Sequence, residues 1–345
     1  MEQEAMIAVS TLAFPRRTPH FERVLSQYLA GTLHEEVLEK AARNLRLENW
    51  RIAAAYHVTQ IPSNDFLWMS RSQETIAMLN AWPRELDLGS RTLSIRAQIE
   101  LAGRAQQPEL PPNGSFSFGS KKVLADFLEA KDHGILTRPV IMGPVSFLLE
   151  AGGSQALSHL GSLVVVYRDI LVTLAHHGCQ WVQMEEPCLG VAADATVVQA
   201  AFYAYCQLAE AERLPKIMLV PKPGTLGSNL LALIELPLAG FHLDLGFGLD
   251  ELPRILEFLP STKALSLGVL GMGGPIPLRL LRAAWAQVGD RLELAPSTKA
   301  GGAVDESLLK ALDGLREDVL QRWSVPGSGL AAEPLQLDSN QVLLS

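Results

Sequence analysis

Trp181-Val182-Gln183-Met184-Glu185-Glu186-Pro187 is the stretch on which the reading of this sequence turns. A short apolar run delivers two adjacent carboxylates and stops at once on a proline. That is the pattern of a buried strand whose C-terminal end opens into a cavity. Successive strand residues point to opposite faces, so Glu185 and Glu186 serve different surfaces. An unpaired carboxylate is expensive to bury, so the inward member needs a partner or a function. A structural acid bonded to a neighbouring loop and an active-site acid both meet that need.

On either side of this stretch the chain repeats one rhythm. Ala5 to Ser10, Val58 to Ser63 and Arg138 to Pro144, with its tight exit, read as strands before it. Lys216 to Pro221, Ala239 to Leu245, Lys263 to Leu270 and Arg291 to Pro296 read as strands after it. Helical periodicity fills the gaps, with Val24, Leu25, Tyr28 and Leu29 on one stripe and Val37, Leu38, Ala41 and Leu45 on the next. Thr32-Leu33-His34-Glu35 spells a capping box between them. Later helices are expected near Val164–Leu174 and over 196–212, 250–259, 277–287 and 305–323, the last with Leu308, Leu312, Leu315, Val319 and Leu320 inward. Several strands are apolar on both faces, as strands of a parallel sheet covered by helices must be. Eight such units predict an α/β fold of one (β/α)8 TIM-type barrel over residues 1–324. Residues 101–122, rich in Pro, Gly and small polar side chains, break the pattern and read as an irregular loop, a mobile lid or a degraded insertion. Residues 325–345 read as a loose C-terminal tail.

Composition narrows the functional classes. The 345 residues are 48% hydrophobic and 19% charged, which excludes a disordered chain. A net charge of -8 argues against a nucleic-acid partner, which needs clustered Lys and Arg. Three scattered cysteines, Cys179, Cys188 and Cys206, fit a reducing cytoplasm better than a disulfide scaffold. No signal-peptide pattern and no uninterrupted apolar run of about 18 residues is present, so a cytoplasmic, membrane-independent protein is expected.

In such a barrel, chemistry sits at the C-terminal strand ends. That rule alone selects Arg16, Arg17, Asp65, Ser146, Glu185, Glu186, Lys222, Asp244, Ser297, Thr298 and Lys299. Glu185, Glu186 and Asp244 are the acid–base candidates. Arg16, Arg17, Asp65, Ser146, Lys222 and Lys299 are the candidates for binding a small anionic ligand. Two solvated loop lysines are the plainer account of Lys222 and Lys299. His242 shares a strand face with Asp244, as an acid–base couple or a hydrogen-bonded core pair. His176-His177-Gly178-Cys179 precedes a strand, which puts it on the stability face with too few ligands for a metal. Gly268, Gly271, Gly273 and Gly274 do not have dinucleotide-binding spacing.

Several phrases occur in order: Thr11-Leu12-Ala13-Phe14-Pro15-Arg16, Leu45-Arg46-Leu47-Glu48-Asn49-Trp50, Ile61-Pro62-Ser63-Asn64-Asp65-Phe66, Gly143-Pro144-Val145-Ser146-Phe147-Leu148, the Trp181–Pro187 stretch, and Gly240-Phe241-His242-Leu243-Asp244-Leu245. Together they resemble the N-terminal barrel of cobalamin-independent methionine synthase, over roughly residues 5 to 323. The resemblance implies two facing barrels. The C-terminal one holds zinc and homocysteine, and the N-terminal one braces it and helps hold the glutamate tail of 5-methyltetrahydrofolate. This chain ends where the second barrel would begin, so it resembles half of such an enzyme. For His242 the resemblance implies the core role.

The departures are equally informative. The catalytic barrel's His-x-Cys is expected to fall on Leu219 and Pro221, its glutamate on Asp244 and its last cysteine on Thr298. Leu, Pro and Thr cannot ligate zinc, so no metal site is expected in this chain. The basic run that follows the family's F-P-R is replaced by His20-Phe21-Glu22-Arg23-Val24-Leu25, and the family's M-T-K-W-F segment is not recognisable. The resemblance therefore implies a subunit not active alone. Zinc and methyltetrahydrofolate would be engaged only with a separately encoded catalytic methionine-synthase barrel. A stand-alone enzyme on another small anionic substrate and a non-catalytic binding protein are the alternatives.

Overall fold

The computed structural model describes residues 7–82, 94–102, 110, 116–190, 193–221, 223–271, 278–298 and 304–323. Its first half runs β1 (Ala8–Val9), α1 (Pro19–Leu29), α2 (Glu35–Ala55), β2 (Ile61–Ser63), α3 (Arg71–Leu79), α4 (Ile95–Ala102) and α5 (Lys122–Asp132). Then come β3 (Thr137–Met142), α6 (Pro144–Gly152), α7 (Leu160–His176), β4 (Trp181–Glu186), α8 (Ala195–Ala209), β5 (Lys216–Pro221) and α9 (Leu230–Glu235). The chain continues through β6 (Gly240–Asp244), α10 (Leu245–Gly248), α11 (Leu252–Phe258), β7 (Ala264–Leu270), α12 (Leu278–Val288), β8 (Leu292–Pro296) and α13 (Glu306–Trp323).

All pairings are parallel, in the order β1-β8-β7-β6-β5-β4-β3-β2. A parallel bridge between Ser10 and Gln60 brings the two edges together, and Thr59 and Gln60 donate backbone N–H bonds to the Val9 carbonyl. The expected eight-stranded α/β barrel is the fold. Closure removes the exposed edges that a sheet this size would otherwise present.

The outer strand faces carry the apolar load. Leu163, Val164, Tyr167, Ile170, Leu171 and Leu174 of α7 are buried in the core that also takes Val182 and Met184. The helical run Pro144–His176 has the length and hydropathy of a membrane span, and this burial accounts for its apolar composition. A second, smaller core joins Phe21, Val24 and Tyr28 of α1 to Leu38, Ala42 and Leu45 of α2 and to Phe66.

The barrel interior, in contrast, holds a buried polar network. Arg138, on β3, donates two bonds to the Glu293 carboxylate on β8, at 2.9 and 3.0 Å, and a third to the Ser10 hydroxyl. Ser266 donates to Glu293 at 3.0 Å, and its hydroxyl also lies 2.9 Å from Nδ1 of His242. Desolvation pushes His242 down to about 4, against the pull of Asp244 and Glu293. His242 is thus part of the hydrogen-bonded core, as the resemblance implied.

Some local expectations are corrected. Leu29 and Val37 are exposed, and Ala42 rather than Ala41 is fully buried, because the inward stripe is narrower than the apolar pattern. Thr32 does not cap α2. Its hydroxyl donates back to the Gln27 carbonyl, and His34 stands at the N-cap without a side-chain bond. Leu309, not Leu308, leads the buried stripe of α13. The irregular segment is narrower than 101–122, since α4 reaches Ala102 and α5 begins at Lys122. The remaining expectations about that loop, and the tail 325–345, lie largely outside the described residues.

Candidate functional site

The pleat separates the two central acids as alternation requires. Glu186 lies on the outer face of β4, fully enclosed beneath α6 and α8. Its carboxylate accepts N–H bonds from Val145 at 3.2 Å and Ser146 at 2.7 Å, and the Tyr205 hydroxyl at 2.9 Å. Those amides open α6, where a negative charge is favoured by the helix dipole. Burial raises the Glu186 pKa, and the hydroxyl and amide of Ser146 with Tyr205 and Val145 hold that rise back. Gly143 presses against the same carboxylate: a Cβ there would sit 2.1 Å from Glu186 Cδ. The Ser146 hydroxyl in turn accepts the Cys188 N–H at 3.1 Å. Glu186 and Ser146 therefore belong to one strand–helix joint.

Glu185 faces the barrel mouth, half-buried, with its side chain 30% exposed. Gln183, two residues below, donates through Nε2 to Glu185 Oε1 at 3.2 Å and to the Leu12 carbonyl at 3.1 Å. Arg71 Nε lies 3.6 Å from Glu185 Oε2, while its Nη1 donates to the carbonyls of Asn64 and Val140. Lys122 bonds Asn64 Oδ1 at 3.0 Å and Asp126 at 2.7 Å. Asp65 joins this rim, accepting the Phe14 N–H at 2.7 Å. Desolvation raises its pKa, against that bond and the charge of Arg71. Glu74 is raised in the same way, against the pull of Lys122. A cleft of about 1050 Å³ opens beside this rim, with Trp68, Trp82 and Phe118 among its walls. Among the described residues, its Arg43, Arg46, Lys121 and Lys122 are matched in number by Glu35, Glu39, Glu74 and Asp126.

Across the mouth, Asp244 ends β6, buried. Its Oδ1 accepts the Ser297 hydroxyl at 2.6 Å and the Gly246 N–H at 2.9 Å. Its Oδ2 accepts the Thr298 N–H at 2.8 Å and the Thr298 hydroxyl at 2.7 Å.

The arginine candidates are already engaged. Arg16 contacts Glu48 at 2.5 Å and Asn49 at 3.3 Å. Arg17 donates to the Leu67 carbonyl and lies over the rings of Phe21 and Phe66. Lys222 and Lys299 lie outside the described residues, as do Gly273 and Gly274. Cys179 sits at the opposite, N-terminal end of β4, bonded to the Trp181 carbonyl, with its thiol pushed up to about 12 by burial.

The strand register shows which strand-end residues face the mouth. Gln183 pairs with Met218 and Glu185 with Val220, so Met218 and Val220 face inward with them. Leu219 and Pro221 pair with Met184 and Glu186 and face the helices. The inward strand-end residues of β5, β6 and the β8 exit are therefore Val220, Asp244 and Thr298. A zinc site of the thiol-activating kind needs thiolate and imidazole donors, and this set supplies neither. Among the described residues no three His, Cys, Asp or Glu side chains converge on a point.

Arg71, Lys122, Asp126 and Gln183 were not singled out in the sequence. Only one signal pointed to any of them: Ser70-Arg71-Ser72-Gln73 spells a capping box, and both of its bonds are present at the start of α3.

Comparison with known proteins now places the chain. Residues 8–102 and 106–273 match the family model described as "Cobalamin-independent synthase, N-terminal domain". A 5-methyltetrahydropteroyltriglutamate–homocysteine methyltransferase from Caulobacter vibrioides is 33% identical over 360 aligned residues, covering 89% of this chain and 46% of the relative. One from Xylella fastidiosa is 34% identical over 327, covering 85% and 43%. The chain thus spans less than half the length of these relatives. In fold it is similar to a B12-independent methionine synthase from a Shewanella species solved with selenomethionine, with TM-score 0.62, 13% identity, and coverage of 93% of this chain and 97% of that one. A candidate vitamin-B12-independent methionine synthase from Listeria monocytogenes gives TM-score 0.65 at 13% identity, covering 92% and 99%. By sequence over most of its length, the chain belongs to the cobalamin-independent methionine synthase family and corresponds to its N-terminal domain.

Proposed function

We propose that this chain is a metal-free barrel of the methionine-synthase type, acting in the cytoplasm as one subunit of a methyltransferase. A separately encoded catalytic barrel would supply the zinc and the homocysteine chemistry. This chain would wall the cleft that holds methyltetrahydrofolate. The observation that carries the reading is the inward rim set of Val220, Asp244 and Thr298, which lacks the donors a thiol-activating zinc requires. Of the acids that a stand-alone enzyme would need, Glu186 is enclosed and Asp244 is saturated, so only Glu185 reaches solvent. That makes the subunit reading the stronger.

The test is a thiol-methylation assay with homocysteine and 5-methyltetrahydropteroyltriglutamate, run on the chain alone and with a zinc-bearing barrel encoded in the same genome. Turnover only in the mixture, with co-elution, is expected. Turnover by the isolated chain would overturn the reading.

A further inference from the structure

The corner of the mouth formed by β6 and the exit of β8 does more than lack metal donors. A carboxylate has about four lone-pair positions. At Asp244 each oxygen accepts two bonds: Oδ1 from the Ser297 hydroxyl and the Gly246 amide, Oδ2 from the amide and hydroxyl of Thr298. Three of these four donors come from the segment leaving β8, and the fourth from the first turn beyond β6. A cation approaching Asp244 would have to displace a bond of 2.9 Å or less from a carboxylate that is itself buried.

We infer that Asp244, Ser297 and Thr298 form an internal clasp that ties β6 to β8 and closes this corner to metal ions. In a metal-binding barrel a cation would link these strand ends through its ligands. Here, converging N–H and O–H dipoles do so. The clasp rests on the metal-free part of the reading above and is independent of any partner subunit.

The rest of the corner is consistent with this. His242, one step below on the same face, meets Ser266 through Nδ1, within the interior network. Gly268, which pairs with Asp244 on β7, leaves no spare room: a Cβ there would lie 3.2 Å from Asp244 Cα and 3.1 Å from the Pro296 carbonyl. The remaining cavity is about 20 Å³, enough for one water, and Leu12, Val220, Pro221 and Leu226 line much of it. Among the described residues, the Asp244 oxygens are engaged and these side chains offer an entering ligand apolar contact.

Two measurements on the full chain test the clasp. The first is cobalt(II) titration followed by absorption spectroscopy and elemental analysis. The second is amide hydrogen exchange at Gly246 and Thr298, in the wild type, in Asp244→Asn and in Ser297→Ala. Less than about 0.1 cobalt per wild-type chain is expected. Exchange at Thr298 should quicken roughly tenfold in Asp244→Asn while α7 keeps its protection. Ser297→Ala removes one donor without touching the carboxylate and should give a smaller increase at the same amides, which keeps the test informative if Asp244→Asn does not fold. Stoichiometric cobalt that is lost in Asp244→Asn would overturn the inference. So would unchanged exchange at Thr298 in both variants. Thiol methylation by the chain alone is a separate readout, and it bears on the subunit reading rather than on the clasp.

Discussion

The Arg138–Glu293 pair gives the most demanding test of how the barrel interior is held. The two side chains are 2% and 5% exposed and meet through two parallel bonds of 2.9 and 3.0 Å, with Ser10 and Ser266 completing the shell. Arg138→Met alone leaves a carboxylate buried without its cation, and Glu293→Leu alone leaves a buried guanidinium. Each should cost about 3–5 kcal/mol. For a chain of this length the unfolding entropy gives about 1.4 °C per kcal/mol, so each single variant should melt about 4–7 °C lower. The double variant removes both charges and leaves chiefly the hydroxyls of Ser10 and Ser266 short of a partner, at about 1 kcal/mol each. It should therefore be no less stable than either single variant, with a coupling energy of about 3 kcal/mol or more. Calorimetry and urea unfolding of the four proteins measure this directly. Additive losses in the double variant would refute the argument, because they would mean that neither charge depends on the other.

Three further outcomes follow from the same geometry. Gly143→Ala places a methyl group against the Glu186 carboxylate and should lower stability by about 1–3 kcal/mol in thermal unfolding, since the contact falls on a packed joint rather than a flexible tip. Ser70→Ala removes the capping box that starts α3 and should cost about 1 kcal/mol in the same measurement, with Arg71 loosened from Glu185. His242 should titrate near 4 in an NMR pH series. Because its folded pKa lies below its unfolded value of 6.5, the unfolded chain binds more protons between those limits. Stability from this group is full above pH 6.5 and falls as the pH drops toward 4, by up to about 3 kcal/mol. His242→Gln should flatten that part of the profile, and an unchanged slope would dismiss the assignment.

The sequence revealed more of the frame than of the site. Strands such as Trp181–Glu186 and Lys216–Pro221 were legible to the residue, because apolar runs bounded by proline and glycine have few other readings. Helices α3, α6 and α9 went unread. At 9, 9 and 6 residues they are too short for periodicity to stand out. Alternation split Glu185 from Glu186 correctly, but it could not say which one faced the mouth. That depended on α6 and Tyr205 lying outside β4, contacts made across the fold. Leu219 and Pro221, onto which the resemblance maps the zinc positions, pair with Met184 and Glu186 and face the helices, and the sequence alone did not show that face. Arg71 and Lys122 were missed because each opens a helix, so neither stands at the strand ends that the barrel rule inspects.

The joint at Glu186 also constrains how this sequence can drift. Gly143 is barred from gaining a side chain only while an acid stands behind it, and the acid is tolerated only while the backbone of α6 offers its amides. Across related sequences the two positions should therefore change as a couple, whereas Glu185 next door is bound by no such pact. A one-residue slip of β4 would reverse their faces, turning Glu185 toward the helix layer and Glu186 toward the barrel interior.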